Sequence, residues 1–359
     1  MAFPQRPWQR AKGIEWMWQS NGNPFDLSQK SEWKSYSDVE TIVIEEAYQK
    51  KQLAVLLDQY HINLEQLIQV SNIDEKKQRP VKRIALNTTQ WRIRKERFLA
   101  DPIEPSKPFS TTRSHDFLVE TVAYYNLWHT DESRLLIEKA AEGLTIEGKL
   151  LGKEWEGRQM AELLLLYKDY SREEIVQMCA YLYSLDSFLY RKLTEIMRLI
   201  EDKRYEHVWK SKVPTLGPFA YLLNCMATEM KYTIDLPVES MTVYRGCNLS
   251  AEAIEKFKAF HTKHQAHKYH TSWISFLSFT STSRSRKIAE IMSGNVLFII
   301  KICPHYEGCD ISPYSLFDEE EFLLIPTFSF LIVSCEYDEH IHRWTIGLKS
   351  ANSFHTSEC

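Results

Sequence analysis

The chain has 359 residues, which is long for one average domain and sufficient for two. Its apolar and charged fractions, 44% and 26%, are ordinary, so we expect a mostly folded chain rather than a disordered or fibrous one. A formal net charge of −4 argues against a protein that mainly coats nucleic acid, which is a partner we allow but do not favour.

Three features bear on the cellular compartment. Residues 1–10 hold two prolines and two arginines without an apolar core, so no secretory signal is predicted. The longest apolar stretch, 322–335, is interrupted by Pro326, Thr327 and Ser329 and is too short to span a bilayer. The seven cysteines form no C-x-x-C pair and are typical of free thiols. We therefore expect an intracellular protein, cytoplasmic or nuclear, without a membrane partner.

The first half of the chain predicts one small module and a linker. Residues 14–86, here called the N-terminal module, are rich in Trp and Tyr, contain an amphipathic segment around Ile44, and end in a basic run at 76–83. Prolines alternate with Ser and Thr from 101 to 114, which is linker composition. The predicted division is a tail at 1–13, the module at 14–86, a linker at 87–115, a C-terminal domain at 116–350 and a tail at 351–359.

The C-terminal domain begins with helical patterns and continues with β-rich runs. Apolar residues recur at helical spacing from 175 to 200, and 218–232 predicts another helix with Pro218 near its first turn. The β-rich runs are 242–245, 276–281, 296–303, 322–335 and 343–348. Helices followed by strands predict an α+β domain rather than alternating βαβ units.

Three short motifs lie on these β-rich runs. They are Val243-Tyr244-Arg245-Gly246, Phe279-Thr280-Ser281-Thr282-Ser283 and Glu319-Glu320-Glu321. Each alone is usually a surface arginine, a polar strand end or a solvated acidic loop. In a strand, however, Glu319 and Glu321 would point to the same face, where two carboxylates repel unless a cation uses them. Because an apolar run follows directly, we expect this pair at the rim of a pocket.

In their order, the three motifs resemble the R-S-E signature of arginine-specific mono-ADP-ribosyltransferases of the clostridial-toxin-like class. The resemblance covers roughly residues 120–350 and includes the segments 183–193 and 216–219. It implies a helical lead-in followed by two packed, mostly antiparallel β-sheets around an NAD cleft. It also implies NAD⁺ as co-substrate, without a metal.

The resemblance implies a role for each motif residue. The implied NAD⁺-binding set is Arg245, Gly246, Ser281, Thr282, Ser283 and Glu321, and the catalytic set is Glu321, Glu319, Ser281 and Arg245. Cleavage of the ribose–nicotinamide bond creates positive charge on the ribose, as in glycoside hydrolysis. Glu321 would stabilise that charge, Arg245 would hold the phosphate and ribose side, and Ser281 would orient Glu321.

The acceptor prediction depends on Glu319. It would bind the incoming guanidinium, and it makes arginine the expected acceptor, because family members with Gln at this position modify other side chains. Residues 310–318 would form an acceptor-recognition loop with Tyr314 and Phe317. Tyr314 would either stack on the target arginine or simply pack. The expected partner is a protein with an exposed arginine.

The N-terminal module resembles the WWE domain, whose two tryptophans and glutamate match Trp16, Trp33 and Glu45. In members that bind poly(ADP-ribose), the ligand positions correspond here to Trp16, Trp18, Tyr60, Gln69 and Arg79. The resemblance implies a small half-barrel with one helix, in which Trp33 packs in the core and Glu45 forms a salt bridge or a helix contact. It also implies poly(ADP-ribose) or ADP-ribosylated proteins as partners. A module that only binds another protein is the alternative.

Histidines 261, 264, 267 and 270 recur every three residues, a spacing that drifts around a helix, so no metal site is predicted.

Two alternatives to transfer onto a protein arginine stay open. The first is an NAD⁺ glycohydrolase or a transferase to a small molecule or nucleic acid. The second is a non-catalytic ADP-ribose reader or adaptor.

Overall fold

The computed structural model describes residues 12–26, 28–86, 108–111, 116–128, 133–230, 240–266, 273–292, 294–303, 307–326 and 328–350. Within them, an all-antiparallel sheet with one helix forms the N-terminal module. A helical layer and a mostly antiparallel sheet form the C-terminal domain. The α+β prediction is confirmed for both parts.

The N-terminal module is a six-stranded sheet packed against a single helix. Its strands are β1 (Ile14–Gln19), β2 (Trp33–Ser35), β3 (Ala54–Leu56), β4 (Tyr60–Asn63), β5 (Ile68–Ser71) and β6 (Gln78–Ala85), in the order β2-β1-β6-β5-β4-β3. Helix α1 (Asp38–Gln49) begins with a capping box in which Ser37 and Glu40 satisfy each other's backbone N–H groups.

One buried polar cluster joins this helix to the sheet. The indole Nε1 of Trp16 donates to Glu45 Oε2 at 2.9 Å, and Arg83 on β6 donates two hydrogen bonds to the same carboxylate, each 2.8 Å. Trp16 is fully buried and Glu45 nearly so. The structural role predicted for Glu45 thus has a physical basis, because its charge is met by a bidentate guanidinium.

The described helices of the C-terminal domain pack in more than one hydrophobic core. They are α2 (Asp116–Tyr125), α3 (Ser133–Leu150), α4 (Glu154–Leu165), α5 (Arg172–Ser184), α6 (Phe188–Arg198), α7 (Glu206–Ser211), α8 (Val213–Asn224), α9 (Met226–Glu229), α10 (Ala251–Ala266) and α11 (Arg286–Ile291). Pro218 lies inside α8 instead of near its start, where Pro214 stands. Since Pro218 has no N–H for the Pro214 carbonyl, the Tyr125 hydroxyl donates to it at 2.8 Å.

The C-terminal strands form two groups. They are β7 (Met241–Cys247), β8 (Ile274–Ser275), β9 (Thr280–Ser283), β10 (Val296–Ile302), β11 (Gly308–Asp310), β12 (Glu321–Leu324), β13 (Ser329–Asp338) and β14 (Arg343–Ser350), in the order β11-β12-β9-β7-β10-β14-β13-β8. The described pairing between β9 and β7 is the single pair Tyr244–Ser283. The two expected sheets therefore meet at one residue pair. Among the strand pairs of the described residues, β10 with β14 is the parallel one.

Two predicted strands differ in extent from the observed ones. In the run 276–281, strand begins only at Thr280, where β9 starts, and the run 322–335 separates into β12 and β13 around Pro326. The predicted linker also differs from expectation at residues 108–111. Phe109 is buried against Phe257 and Phe260, and Ser110 pairs with Ser275, so these residues belong to the C-terminal core. Residues 87–107 and 112–115 lie outside the described part.

Polar contacts join the N-terminal module to the helical layer. The carboxylate of Asp58 accepts from the Trp155 backbone N–H at 2.7 Å, and the Trp155 side chain packs against both cores. Glu156 accepts from the Ser37 hydroxyl at 3.4 Å and from the Phe188 N–H at 3.1 Å. The buried Glu156 side chain thus touches the first turns of α1 and α6. Burial raises the pKa of this carboxyl, despite nearby Lys153.

In the described part of the chain, no helix combines the length and apolar character that a bilayer crossing needs.

We predict that Glu45→Gln loosens the N-terminal module. Burial opposes ionisation of Glu45, but the hydrogen bonds from Arg83, Gln49 and Trp16 outweigh it and lower its pKa below 4.5. This stabilisation is therefore present above pH 4.5 and lost as the pH falls through the lowered pKa. At pH 7 the variant should lose about 3 kcal/mol of local stability, read from hydrogen exchange of β1 and β6.

Glu46→Gln is the matched control, because Glu46 forms an exposed pair with Lys50 that is worth little. The difference between wild type and Glu45→Gln should shrink below pH 4.5. A difference that is absent at pH 7, or unchanged at low pH, would contradict this role of Glu45.

Candidate functional site

The sheet brings the three sequence motifs onto adjacent strands. Glu321, the first residue of β12, pairs with Ser283 on β9, and Ser283 pairs in turn with Tyr244 on β7. Directly paired residues lie about 4.5–5.5 Å apart across a sheet. The arginine motif, the serine motif and the acidic motif therefore meet where the two strand groups join.

Arg245 also contacts the serine motif through its side chain. Its Nη1 donates to the Ser281 carbonyl at 2.7 Å, which fixes the guanidinium across β9. Gly246 is buried beside it on β7 and pairs with Leu297. Ser281 pairs with Leu323 and is itself almost buried. Arg245, Ser281 and the first strand residues after the acidic motif thus form one contiguous group.

The acidic motif differs from the predicted strand. β12 begins only at Glu321, and Glu320 adopts a left-handed conformation with φ 47°. Alternation along a strand therefore does not relate Glu319 to Glu321, and a turn places them. Both side chains are only 1% exposed, whereas that of Glu320 is half-buried. The pair is buried rather than set at a rim, and a left-handed non-glycine residue costs on the order of 1–3 kcal/mol.

The backbone of this turn is held from both sides. The Ser283 hydroxyl donates to the Glu319 carbonyl at 2.7 Å, and the Arg284 N–H donates to the Glu320 carbonyl at 3.0 Å. On the other side, the N–H of Ile311 donates to the Glu321 carbonyl at 3.0 Å. Thr282 likewise donates to the Phe322 carbonyl at 2.6 Å. Thr282 and Ser283 therefore position the acidic motif through their hydroxyls.

Sequence reasoning missed one ion pair at this turn. The Arg284 guanidinium lies 3.1 Å from the carboxylate of Asp310, which is almost completely buried. Arg284 directly follows the serine motif, and Asp310 ends β11, so their proximity depends on the pairing of β9, β12 and β11. No spacing in the sequence joins residues 284 and 310, but an arginine directly after S-T-S was a visible signal.

Tyr314 and Phe317 do not have the exposure expected of acceptor-recognition residues. Their side chains are 6% and 5% exposed and pack in the same core as the helical layer. Little ring surface is left for a target arginine to stack on. The packing role that the sequence also allowed for Tyr314 therefore fits the structure better.

In the N-terminal module, several predicted ligand residues lie together. Gln69 on β5 pairs directly with Arg79 on β6, and the Gln69 amide oxygen accepts from the Tyr36 hydroxyl at 2.8 Å. The Arg79 guanidinium lies 5.4 Å from the centre of the Trp18 ring and donates to two carbonyls of the 19–21 segment. The Tyr36 and Tyr60 rings lie 6.1 Å apart. Tyr36, which the prediction omitted, links Tyr60 to Gln69.

Two tryptophan predictions need correction. Trp16 has no exposed surface, and its indole N–H is bound to Glu45, so it belongs to the core and not to a ligand face. Trp33 is only partly buried and lies under the Lys82 ammonium at 4.1 Å, instead of packing in the core. Trp18 is the half-buried tryptophan near Arg79.

Burial and nearby Glu40 raise the pKa of Tyr60, whose hydroxyl donates to Glu40 at 2.8 Å.

Among the residues that the structure describes, no group of three or more His, Cys, Asp or Glu is arranged to hold a metal ion. His261 contacts the Ile332 carbonyl at 3.1 Å. The side chains of His264, His267 and His270 lie outside the described residues.

Two family models match the chain. The WWE domain model matches residues 14–83, and the model described as NAD:arginine ADP-ribosyltransferase matches residues 134–356. The second match covers more than half of the 359 residues. No curated protein matches the sequence.

Solved structures of bacterial ADP-ribosyltransferases are similar to this chain over more than half of its length. HopU1 of Pseudomonas syringae is 16% identical, with 62% of this chain and 98% of that chain covered and a TM-score of 0.42. The C3 exoenzyme of Clostridium limosum is 13% identical, with 58% and 94% covered and a TM-score of 0.36. Exoenzyme S from Pseudomonas aeruginosa, solved with human 14-3-3 protein beta and Carba-NAD, is 13% identical, with 60% and 88% covered and a TM-score of 0.38.

The family matches and the site geometry indicate the same kind of function. The ADP-ribosyltransferase model indicates NAD-dependent ADP-ribosyl transfer with NAD⁺ as co-substrate, and a WWE domain suggests ADP-ribose binding. With Arg245, Ser281 and Glu321 on three neighbouring strands, the chain belongs to the NAD:arginine ADP-ribosyltransferase family and carries a WWE domain ahead of its transferase domain.

Proposed function

We propose that this chain transfers a single ADP-ribose from NAD⁺ to the guanidinium of an arginine in a protein acceptor and releases nicotinamide. One observation supports this most strongly: β7, β9 and β12 carry the arginine, serine and acidic motifs side by side. The carboxylates of Glu319 and Glu321 are both buried next to them. The family match from 134 to 356 supports the same reaction.

Glu321 would act on the NAD⁺ side of the reaction. When the bond between the ribose C1′ and nicotinamide breaks, the bonding electron pair leaves with nicotinamide and the ribose becomes oxocarbenium-like. A buried carboxylate that is already in position stabilises this charge without reorganising. Arg245 would hold the phosphate and ribose side of the dinucleotide with its planar guanidinium, and the Gly246 backbone would meet the nicotinamide amide.

Glu319 would act on the acceptor side. A guanidinium nitrogen forms the new bond to C1′ and gives up a proton. The Glu319 carboxylate would first hold the cation by its charge and then accept that proton as general base. Glu319 and Glu321 are both buried and flank the left-handed Glu320 in the turn. Because a carboxylate at position 319 suits a guanidinium, we propose arginine as the acceptor rather than water, a small molecule or nucleic acid.

The WWE domain would bind ADP-ribose units of a polymer or of modified proteins. Trp18, Tyr60, Gln69 and Arg79 are the proposed ligand residues, with Tyr36 supporting Gln69. Aromatic faces suit the adenine, and a guanidinium suits phosphate oxygens. This binding would direct the transferase to sites that already carry ADP-ribose. We propose an intracellular location, in the cytoplasm or the nucleus, because the seven cysteines are scattered and form no C-x-x-C pair.

Substitution of the two glutamates should separate the two halves of the reaction. Glu321→Gln should lower nicotinamide release with any acceptor by at least 10²–10³-fold, because the charge opposite the ribose is lost. Glu319→Gln should abolish transfer to agmatine while some NAD⁺ hydrolysis continues. Nicotinamide and ADP-ribosylagmatine are quantified in the same reaction by chromatography.

Glu320→Gln is the matched control, because it removes the same charge from the half-buried residue between the two and should leave both rates near wild type. Normal agmatine labelling by Glu319→Gln would show that the arginine assignment is wrong. Undiminished nicotinamide release by Glu321→Gln would exclude its catalytic role.

Arg79→Ala should weaken binding of purified ADP-ribose oligomers about tenfold or more, because a charge-assisted contact to phosphate is lost. Lys82→Ala removes the same charge from the same strand and should have a smaller effect. Isothermal titration measures both affinities. A loss of affinity supports the role when hydrogen exchange of β6 is unchanged. Equal affinities for wild type and Arg79→Ala would contradict the proposed polymer-binding role.

A further inference from the structure

We infer that the ion pair between Arg284 and Asp310 is a positioning device for the two glutamates of the transferase site. The inference rests on the proposed function and adds two residues to it. Neither side chain needs to touch NAD⁺ or the acceptor, because each acts through the turn that carries Glu319 and Glu321.

The ion pair joins the two sides of that turn. On the β9 side, Arg284 donates its own N–H to the Glu320 carbonyl at 3.0 Å, and its neighbour Ser283 donates to the Glu319 carbonyl at 2.7 Å. Arg284 therefore belongs to the dipeptide that holds the first two residues of the turn. Its guanidinium then reaches across to Asp310 at 3.1 Å.

Asp310 supports the turn from the β11 side. Asp310 Oδ1 accepts from the Ser312 N–H at 2.9 Å, and the Ser312 hydroxyl lies 3.3 Å from the Glu321 carbonyl, to which it donates. The Ile311 N–H donates to the same carbonyl at 3.0 Å. Asp310 thus fixes the segment that holds Glu321, while Arg284 belongs to the segment that holds Glu320. The ion pair links these two supports directly.

Arg284 also offsets negative charge around the turn. The segment 310–321 contains five carboxylates, at Asp310, Asp318, Glu319, Glu320 and Glu321. The Asp310 side chain is 3% exposed, and a carboxylate this deeply buried is costly without a cation. Arg284 supplies that cation and keeps Asp310 from adding to the repulsion between Glu319 and Glu321. Its planar guanidinium also fixes direction, which a point charge does less well.

The strained residue makes this support necessary. Glu320 holds a left-handed φ of 47°, a conformation that persists only where the surroundings over-determine it. When the ion pair is removed, the turn should relax toward ordinary backbone angles. A displacement of about 1 Å in a reacting group can lower the rate about 10²-fold. Arg245 and Gly246 lie on β7, outside the turn, so NAD⁺ binding should be affected much less.

The test compares Arg284→Gln and Asp310→Asn with the matched control Arg286→Gln. Arg286 lies two residues after Arg284 in the chain and forms an exposed pair with Glu290. We expect kcat for agmatine modification to fall about 10²-fold in the first two variants, with the KM for NAD⁺ within threefold of wild type. Arg284→Lys should recover part of the loss, because it restores the charge without the planar geometry.

Two further readouts distinguish positioning from a general loss of stability. The double variant Arg284→Gln/Asp310→Asn should be no slower than the slower single variant, since both changes remove the same interaction. Hydrogen exchange of peptides covering 316–322 should speed up in the two test variants and not in Arg286→Gln. Peptides from the helical layer should keep wild-type exchange.

Unchanged exchange of 316–322, or additive losses of kcat, would overturn the inference whatever the reaction is. If the wild type released no nicotinamide with any acceptor while exchange responded as expected, the proposed function would fail and the support of the turn would stand. If Arg284→Gln did not fold, Asp310→Asn and Arg284→Lys would decide the same question.

Discussion

Two acidic residues of one turn are buried in this protein, and the rest of the site is arranged around that constraint. Glu319 and Glu321 are each 1% exposed, and like charges repel more strongly where water is excluded. The fold holds them through the backbone of their turn. Carbonyls of the turn accept hydrogen bonds from Ser283 on one side and from Ile311 and Ser312 on the other.

The order and neighbourhood of the three motifs could be predicted from sequence. Each motif has a recognisable pattern on a β-rich run, and Arg245, Ser281 and Glu321 lie on adjacent strands as the resemblance implied. The local geometry of the acidic motif could not be predicted. A left-handed Glu320 is not encoded by a glycine or asparagine, and hydrogen bonds from two distant strands stabilise it. The ion pair between Arg284 and Asp310 likewise depends on the pairing of β9, β12 and β11.

Burial was the other quantity that sequence patterns could not supply. Trp16 and Trp18 are two residues apart on β1 and share one face of the strand, so periodicity treats them alike. Helix α1 covers Trp16 with Glu45 and Tyr48, whereas Trp18 lies beside Arg79. Tertiary packing alone separates the core tryptophan from the candidate ligand tryptophan. Packing by the helical layer buries Tyr314 and Phe317 in the same way.

The central claim is that the buried acidic turn directs ADP-ribose from NAD⁺ to a guanidinium. The most direct measurement is incubation of the full chain with isotopically labelled NAD⁺ and agmatine, followed by mass spectrometry of all products. We predict one labelled ADP-ribose on the agmatine guanidinium for each nicotinamide released. Labelled ADP-ribose that is free in solution, with agmatine unmodified, would contradict the account.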